Sequence, residues 1–136
     1  SMLPEALAPT VLGTLTVQTK PIIQRIIDEY SGAFTRLDQD FVARLAERDN
    51  YLFADEVDAL ETPFDKPTLI LTGKQDANVG YSDAFILSRQ YPRATYIALD
   101  RAAHGVYLEQ DGLFRVLVNE WLDRVLEARE QAILLQ

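Results

Sequence analysis

The sequence predicts an α/β fold in which a helical segment, residues 1–62, precedes a βαβα unit with two parallel strands, residues 63–136. Three observations lead to this prediction. Apolar residues recur at helical spacing between residues 21 and 60, whereas the apolar runs 68–72 and 94–99 are as short as buried strands. A predicted helix separates the two runs, and a β-α-β order requires parallel strands joined by a right-handed crossover.

The first helix of the segment is predicted from Pro21 to Phe34, where apolar residues recur at every third or fourth position. Thr19 is available as its N-cap, and a proline is well tolerated in the first turn of a helix. Residues 1–20 mix threonine with apolar residues and Gly13, and they fit a frayed helix or an extended arm equally well.

Two shorter helices are predicted after it. The first begins at Asp38 as N-cap and ends at about Arg48, with the apolar residues Phe41, Val42 and Leu45 on one face. The second is capped by Asn50 and continues to Leu60. In the run ETPFDKP at residues 61–67 the helical periodicity ends, and two prolines flank a predicted connection. We place the boundary between the two parts of the chain there.

Beyond this boundary strands and helices alternate. A long last helix is predicted because apolar residues form a sustained face from Leu113 to Leu126. In order we predict a strand at 68–72, a loop at 73–80, a helix at about 82–91 ended by Pro92, a strand at 94–99, a loop at 100–110 and a helix from about Asp111.

Composition and charge exclude several classes of function. A chain of 136 residues with 48% hydrophobic residues is large enough for one core. The net charge of -8 argues against nucleic acid and anionic membranes as partners, because both are bound through basic patches. With no cysteine and one histidine, neither a disulfide framework nor a metal site is expected. No apolar run is long enough to span a membrane, and we expect a cytoplasmic protein.

Two polar loops follow the predicted strands. Gly73-Lys74-Gln75-Asp76 follows the first, and Asp100-Arg101-Ala102-Ala103-His104 follows the second. The carboxyl ends of adjacent parallel strands meet at one edge of a sheet, so Asp76 and His104 are expected to lie in contact. A carboxylate that accepts a hydrogen bond from one ring nitrogen leaves the other nitrogen free to take a proton. The loops therefore predict the acid and the base of a hydrolytic site.

These loops carry a resemblance to a known family. PTLILTGKQDANVG, followed by YPRATYIALDRAAHGVYLEQ, resembles the carboxyl-terminal part of an α/β-hydrolase-fold enzyme, and the similarity covers residues 63 to about 126. The resemblance implies that Asp76 is the triad acid, that His104 is the triad base, and that Glu109 matches a glutamate a few positions after the histidine. It also implies that 1–62 is a helical cap or lid segment, and it implies no metal or organic cofactor, because triad chemistry uses side chains alone.

The chain departs from this family in one respect that bears on activity. It has no G-x-S-x-G motif, and Ser31, Ser82 and Ser88 lack the small neighbours of a nucleophile elbow. Ser82 is expected to cap the helix that follows the first strand, and Glu109 is expected to brace the loop or the entry to the last helix. Without a nucleophile we expect this chain alone to be a poor catalyst.

Two accounts of function follow. The chain is either the cap and acid/base part of a hydrolase of a small ester or related carbonyl substrate, completed by a nucleophile-bearing segment, or a non-catalytic interaction module derived from that fold. Two strands with several amphipathic helices leave apolar surface and strand edges uncovered, so we expect self-association into a homo-oligomer in either account.

Overall fold

The computed structural model describes residues 8–47 and 60–134 of the 136-residue chain, and it has a mixed architecture of helices and a parallel sheet. In chain order the elements are α1 (Ala8–Gly13), α2 (Lys20–Phe34), α3 (Gln39–Leu45), β1 (Thr68–Gly73), α4 (Tyr81–Leu87) followed by a 3₁₀ turn (Ser88–Gln90), β2 (Ala94–Leu99), α5 (Val106–Glu109) and α6 (Asp111–Leu134). Among the described residues no helix has both the length and the apolar character needed to cross a membrane.

The amino-terminal helices agree with the predicted caps and differ in length. Thr19 is the N-cap of α2, and a proline occupies its first turn, as predicted. Asp38 caps α3 by accepting a hydrogen bond from the backbone N–H of Phe41 at 2.9 Å. The helix ends at Leu45 and not near residue 48, because α3 buries none of its residues and a short helix depends on packing for its stability. The third predicted helix, capped by Asn50, lies outside the described residues.

The segment before α2 combines the two structures that its sequence left open. Residues 8–13 form the short helix α1, and residues 14–19 run without regular secondary structure to the start of α2. Gln18 holds this connection to α1, since its side-chain amide donates to the carbonyls of Leu12 at 2.8 Å and Leu15 at 3.1 Å. We call this connection, residues 14–19, the strap.

The sheet confirms the predicted pair of parallel strands. β1 and β2 pair in register from Thr68 opposite Ala94 to Gly73 opposite Leu99. α6 is hydrogen-bonded to the residues just before both strands: Trp121 donates its indole N–H to the carbonyl of Pro67 at 2.9 Å, and Arg124 donates to the carbonyl of Arg93 at 3.1 Å. At the opposite edge of the sheet, the two polar loops follow the carboxyl ends of the strands.

The most buried cluster lies among helices and not on the sheet. Val11, Leu15, Ile23, Ile26 and Leu108 form it, so α1 and α2 pack on the one-turn helix α5. The sequence did not predict α5, which falls inside the predicted loop 100–110. Its four residues are too few for a periodic signal in the sequence. One of them, Leu108, belongs to the buried cluster.

Candidate functional site

The loops that follow β1 and β2 are joined through their backbones. The N–H of Lys74 donates to the carbonyl of Leu99 at 2.9 Å, and the N–H of Gln75 donates to the carbonyl of Ala102 at 3.0 Å. The Gln75 side chain continues this pairing: its oxygen accepts the N–H of Ala102 at 3.2 Å and its amide donates to the Asp100 carboxylate at 2.8 Å. These bonds continue the sheet pairing into the loops and fix them side by side.

Asp76 and His104 meet between these loops, as the strand order predicts. The Nδ1 atom of His104 lies 3.1 Å from Oδ2 of Asp76. The other carboxylate oxygen, Oδ1, accepts the backbone N–H groups of Asn78 at 2.8 Å and Val79 at 3.1 Å. The Asp76 side chain is 9% exposed and the His104 side chain is 53% exposed, so a nearly buried carboxylate holds an accessible imidazole.

The surroundings of Asp76 favour its ionised form. Burial by itself raises the pKa of this carboxyl group, but the hydrogen bonds from the backbone of Val79 and Asn78 and from His104 outweigh it. The pKa of Asp76 therefore lies below its ordinary value. An ionised Asp76 accepts the proton of Nδ1, which leaves Nε2 of His104 with its lone pair.

Two buried alanines precede His104, and the end of β1 runs close against their backbone. Ala102 is fully buried and Ala103 is 4% exposed. A Cβ atom on Gly73 would stand 2.6 Å from the carbonyl carbon of Ala102 and closer still to the carbonyl oxygens of Ala102 and Ala103. Only glycine fits at residue 73 without moving the backbone that leads to His104.

Glu109 braces the histidine loop from the other side. Its Oε2 accepts the N–H of Ala103 at 2.6 Å, and its Oε1 accepts the N–H groups of Thr16 and Val17 at 2.6 Å each. The bracing expected for this residue thus extends to a distant part of the chain. Sequence spacing alone could place Glu109 near the histidine loop but could not identify donors so remote along the chain.

Two clefts adjoin the pair, and His104 and Tyr107 line both. The first, of about 260 Å³, lies under α1 and α2 and is walled mainly by apolar side chains, with Leu15 and Ile26 among them. The second, of about 310 Å³, opens on the strand ends beside Asp76. The hydroxyl groups of Tyr30 and Tyr107 are hydrogen-bonded to each other at the first cleft. Periodicity places Tyr30 on the apolar face of the first long helix, and Tyr107 lies three positions after His104, but neither pattern predicts that the two hydroxyl groups meet.

Among the described residues no serine hydroxyl is hydrogen-bonded to His104. Ser31 lies within α2, and the hydroxyl of Ser88 donates to the carbonyl of Phe85 at 2.7 Å. Ser82 is not the cap that we predicted for α4, because the helix begins one residue earlier and Gly80 is its N-cap. In the described part of the chain no cluster of histidine, cysteine, aspartate and glutamate side chains could hold a metal ion.

Comparisons of the chain with protein-family models, curated proteins and solved structures gave no match.

Proposed function

We propose that this chain is the cap and acid/base part of an α/β-hydrolase-fold protein, a partial form of that fold, which hydrolyses a small-molecule ester or related carbonyl substrate. The contact of 3.1 Å between Asp76 and His104 at the carboxyl ends of adjacent parallel strands carries this proposal. Asp76 is the acid that orients the ring, and His104 is the base. A cytoplasmic location goes with the proposal, since the chain has no cysteine for disulfides.

The chemistry follows from the orientation of the imidazole. Nε2 of His104 takes a proton from a water molecule, or from a serine hydroxyl on a nucleophile-bearing segment, as the oxygen attacks the substrate carbonyl carbon. The tetrahedral intermediate then breaks its bond to the leaving group, which receives the proton from the imidazolium. With water as the nucleophile this completes hydrolysis; with serine it leaves an acyl-serine, which a water molecule, deprotonated by the same nitrogen, then hydrolyses to release the acid and restore the serine. Asp76 stays ionised and stabilises the positive charge on the ring between the two steps.

The first cleft favours a substrate with a small apolar group. Val11, Leu15, Ile26 and Leu108 contribute its apolar wall, and His104 lies at its edge. Apolar surface enclosed in such a cleft stabilises a bound hydrocarbon group by about 25 cal/mol for each Å² removed from water. The substrate carbonyl is placed beside the imidazole when the apolar group occupies this cleft.

Hydrolysis of an activated aryl ester tests the proposal. The variants are His104→Ala, Asp76→Asn and, as a matched control for the second, Asp65→Asn, whose carboxylate is exposed and paired with Lys66 at 3.0 Å. We expect slow hydrolysis by the unaltered chain, a loss of about a hundredfold in His104→Ala, a smaller loss in Asp76→Asn and no loss in Asp65→Asn. Equal rates for the unaltered chain and His104→Ala would remove His104 from any catalytic role.

A non-catalytic, self-associating module is the second candidate, and one observation favours it. Many large apolar side chains of the described residues are exposed, including Phe41, Phe64, Phe85, Ile86, Val116 and Leu126. Exposed apolar side chains that form a contiguous patch are typical of an interface. Sedimentation at micromolar concentration should then show a homo-oligomer, and a monomer with a sharp unfolding transition would reject self-association.

A further inference from the structure

Glu109 joins the strap at residues 14–19 to the loop that carries His104. One carboxylate accepts three backbone N–H groups, those of Thr16, Val17 and Ala103. Thr16 and Val17 lie 93 and 92 positions before Glu109 in the sequence, whereas Ala103 directly precedes His104. Hydrogen bonds to an ionised acceptor are short and strong, so this is a firm link between distant segments.

The strap also contacts the residue that follows His104. A side chain of Leu15 occupies the space beside Gly105, where an added Cβ atom would lie 2.5 Å from Leu15 Cδ2. The strap is therefore linked to both sequence neighbours of His104. It is linked to Ala103 through the Glu109 carboxylate and to Gly105 through the side chain of Leu15.

The imidazole itself has little packing to hold it. Its side chain is 53% exposed, and its described hydrogen bond is the one to Asp76. The ring can meet Asp76 only where the backbone of residues 103–105 places it. The orientation of His104 thus depends on whatever fixes that backbone.

We propose that Glu109 is a positioning residue, which holds Ala103 so that Nδ1 of His104 faces Asp76 and which makes this orientation depend on the strap. The proposal rests on the role of His104 proposed above. It concerns the orientation of the ring, which can be measured without any catalysis.

The single histidine of the chain allows a direct test by NMR. Long-range ¹H–¹⁵N spectra at about pH 9, above the ordinary titration range of imidazole, report which ring nitrogen carries the proton. The unaltered protein should carry it on Nδ1. Glu109→Gln should shift the tautomer populations toward those of Asp76→Asn and should raise amide exchange at residues 16, 17 and 103 by about tenfold.

Glu127→Gln is the matched control, because it makes the same substitution at an exposed position of α6. It should leave both the tautomer populations and the amide exchange unchanged. Faster exchange of the three amides in Glu109→Gln with unchanged tautomer populations would overturn the proposal, since Glu109 would then brace the two backbone segments without orienting the ring.

A second variant decides the question if Glu109→Gln fails to fold. Val17→Pro removes one donor on the strap and leaves the histidine loop unaltered. It should shift the tautomers in the same direction by a smaller amount, and unchanged populations would overturn the proposal. If the expected NMR changes occur but ester hydrolysis does not depend on His104, the positioning role stands and the hydrolase proposal fails.

Discussion

Replacement of Gly73 by alanine should disrupt both the fold and the candidate site. The added Cβ atom would stand 2.6 Å from the carbonyl carbon of Ala102, whereas ordinary contacts begin at 3.4 Å. The end of β1 and the histidine loop must therefore separate by about 1 Å. Because the three nearest atoms that it meets are all backbone, no side-chain rotation can make room for it.

The magnitude follows from this separation. Overpacking of a well-packed site costs about 1–3 kcal/mol, and we expect the upper end here because the backbone itself must move. For a chain of this size that corresponds to a fall in melting temperature of about 10 °C. A displacement of about 1 Å would also take the contact between His104 and Asp76, now 3.1 Å, beyond hydrogen-bond distance.

Urea unfolding followed by circular dichroism measures the first effect, and the tautomer spectrum of His104 measures the second. Gly32→Ala is the matched control, since Gly32 lies within α2 and an added Cβ meets nothing within 4 Å. That variant should gain about 0.5–1 kcal/mol from the better helix propensity of alanine. A Gly73→Ala protein as stable as the unaltered chain would refute the reasoning.

Three further predictions concern individual contacts. The pKa of Asp76 is lowered in the folded state, so its contribution to stability is complete above the unfolded pKa of about 3.9 and is lost as the pH falls through the lower folded pKa. Asp76→Asn should therefore flatten the acid part of a plot of the free energy of unfolding against pH. Parallel plots for the variant and the unaltered chain would contradict this. Tyr30→Phe and Tyr107→Phe each remove one hydroxyl of a hydrogen-bonded pair, so each should lower the free energy of unfolding in urea by about 1 kcal/mol. The double variant should lose less than the sum of the two single losses, and strict additivity would argue against the pair. Trp121→Phe loses the bond to the carbonyl of Pro67 and should lower the free energy of unfolding by about 1 kcal/mol, whereas an unchanged unfolding midpoint would show that the bond is energetically neutral.

The contact between Asp76 and His104 could be predicted because it depends on strand order. Two short apolar runs separated by a helix form parallel neighbours, and their following loops must emerge at one edge. The observed pairing from Thr68 to Gly73 with Ala94 to Leu99 confirms this reasoning. Local sequence was sufficient because each loop begins where an apolar run ends.

The cap of α4 shows where local reasoning failed. Serine is a favoured N-cap, and Ser82 was therefore expected to begin the helix. The helix begins at Tyr81 instead, and the hydroxyl of Tyr96 on β2 donates to the Tyr81 carbonyl at 2.6 Å. A contact from the neighbouring strand thus lies at the start of this helix, and no local propensity includes such a contact.

The amino-acid sequence by itself determined the α/β class, the parallel strands, the caps of α2 and α3, and the two loops that bring a carboxylate to an imidazole. Periodicity and turn chemistry act over a few residues, so these features can be read along the chain. Only the tertiary structure decided that α1 and α2 pack on α5 and that Glu109 holds both the strap and the histidine loop. The bonds from Thr16 and Val17 to Glu109 join segments more than ninety positions apart, and their donors are backbone N–H groups, which every residue except proline carries and which therefore leave no signal in the sequence.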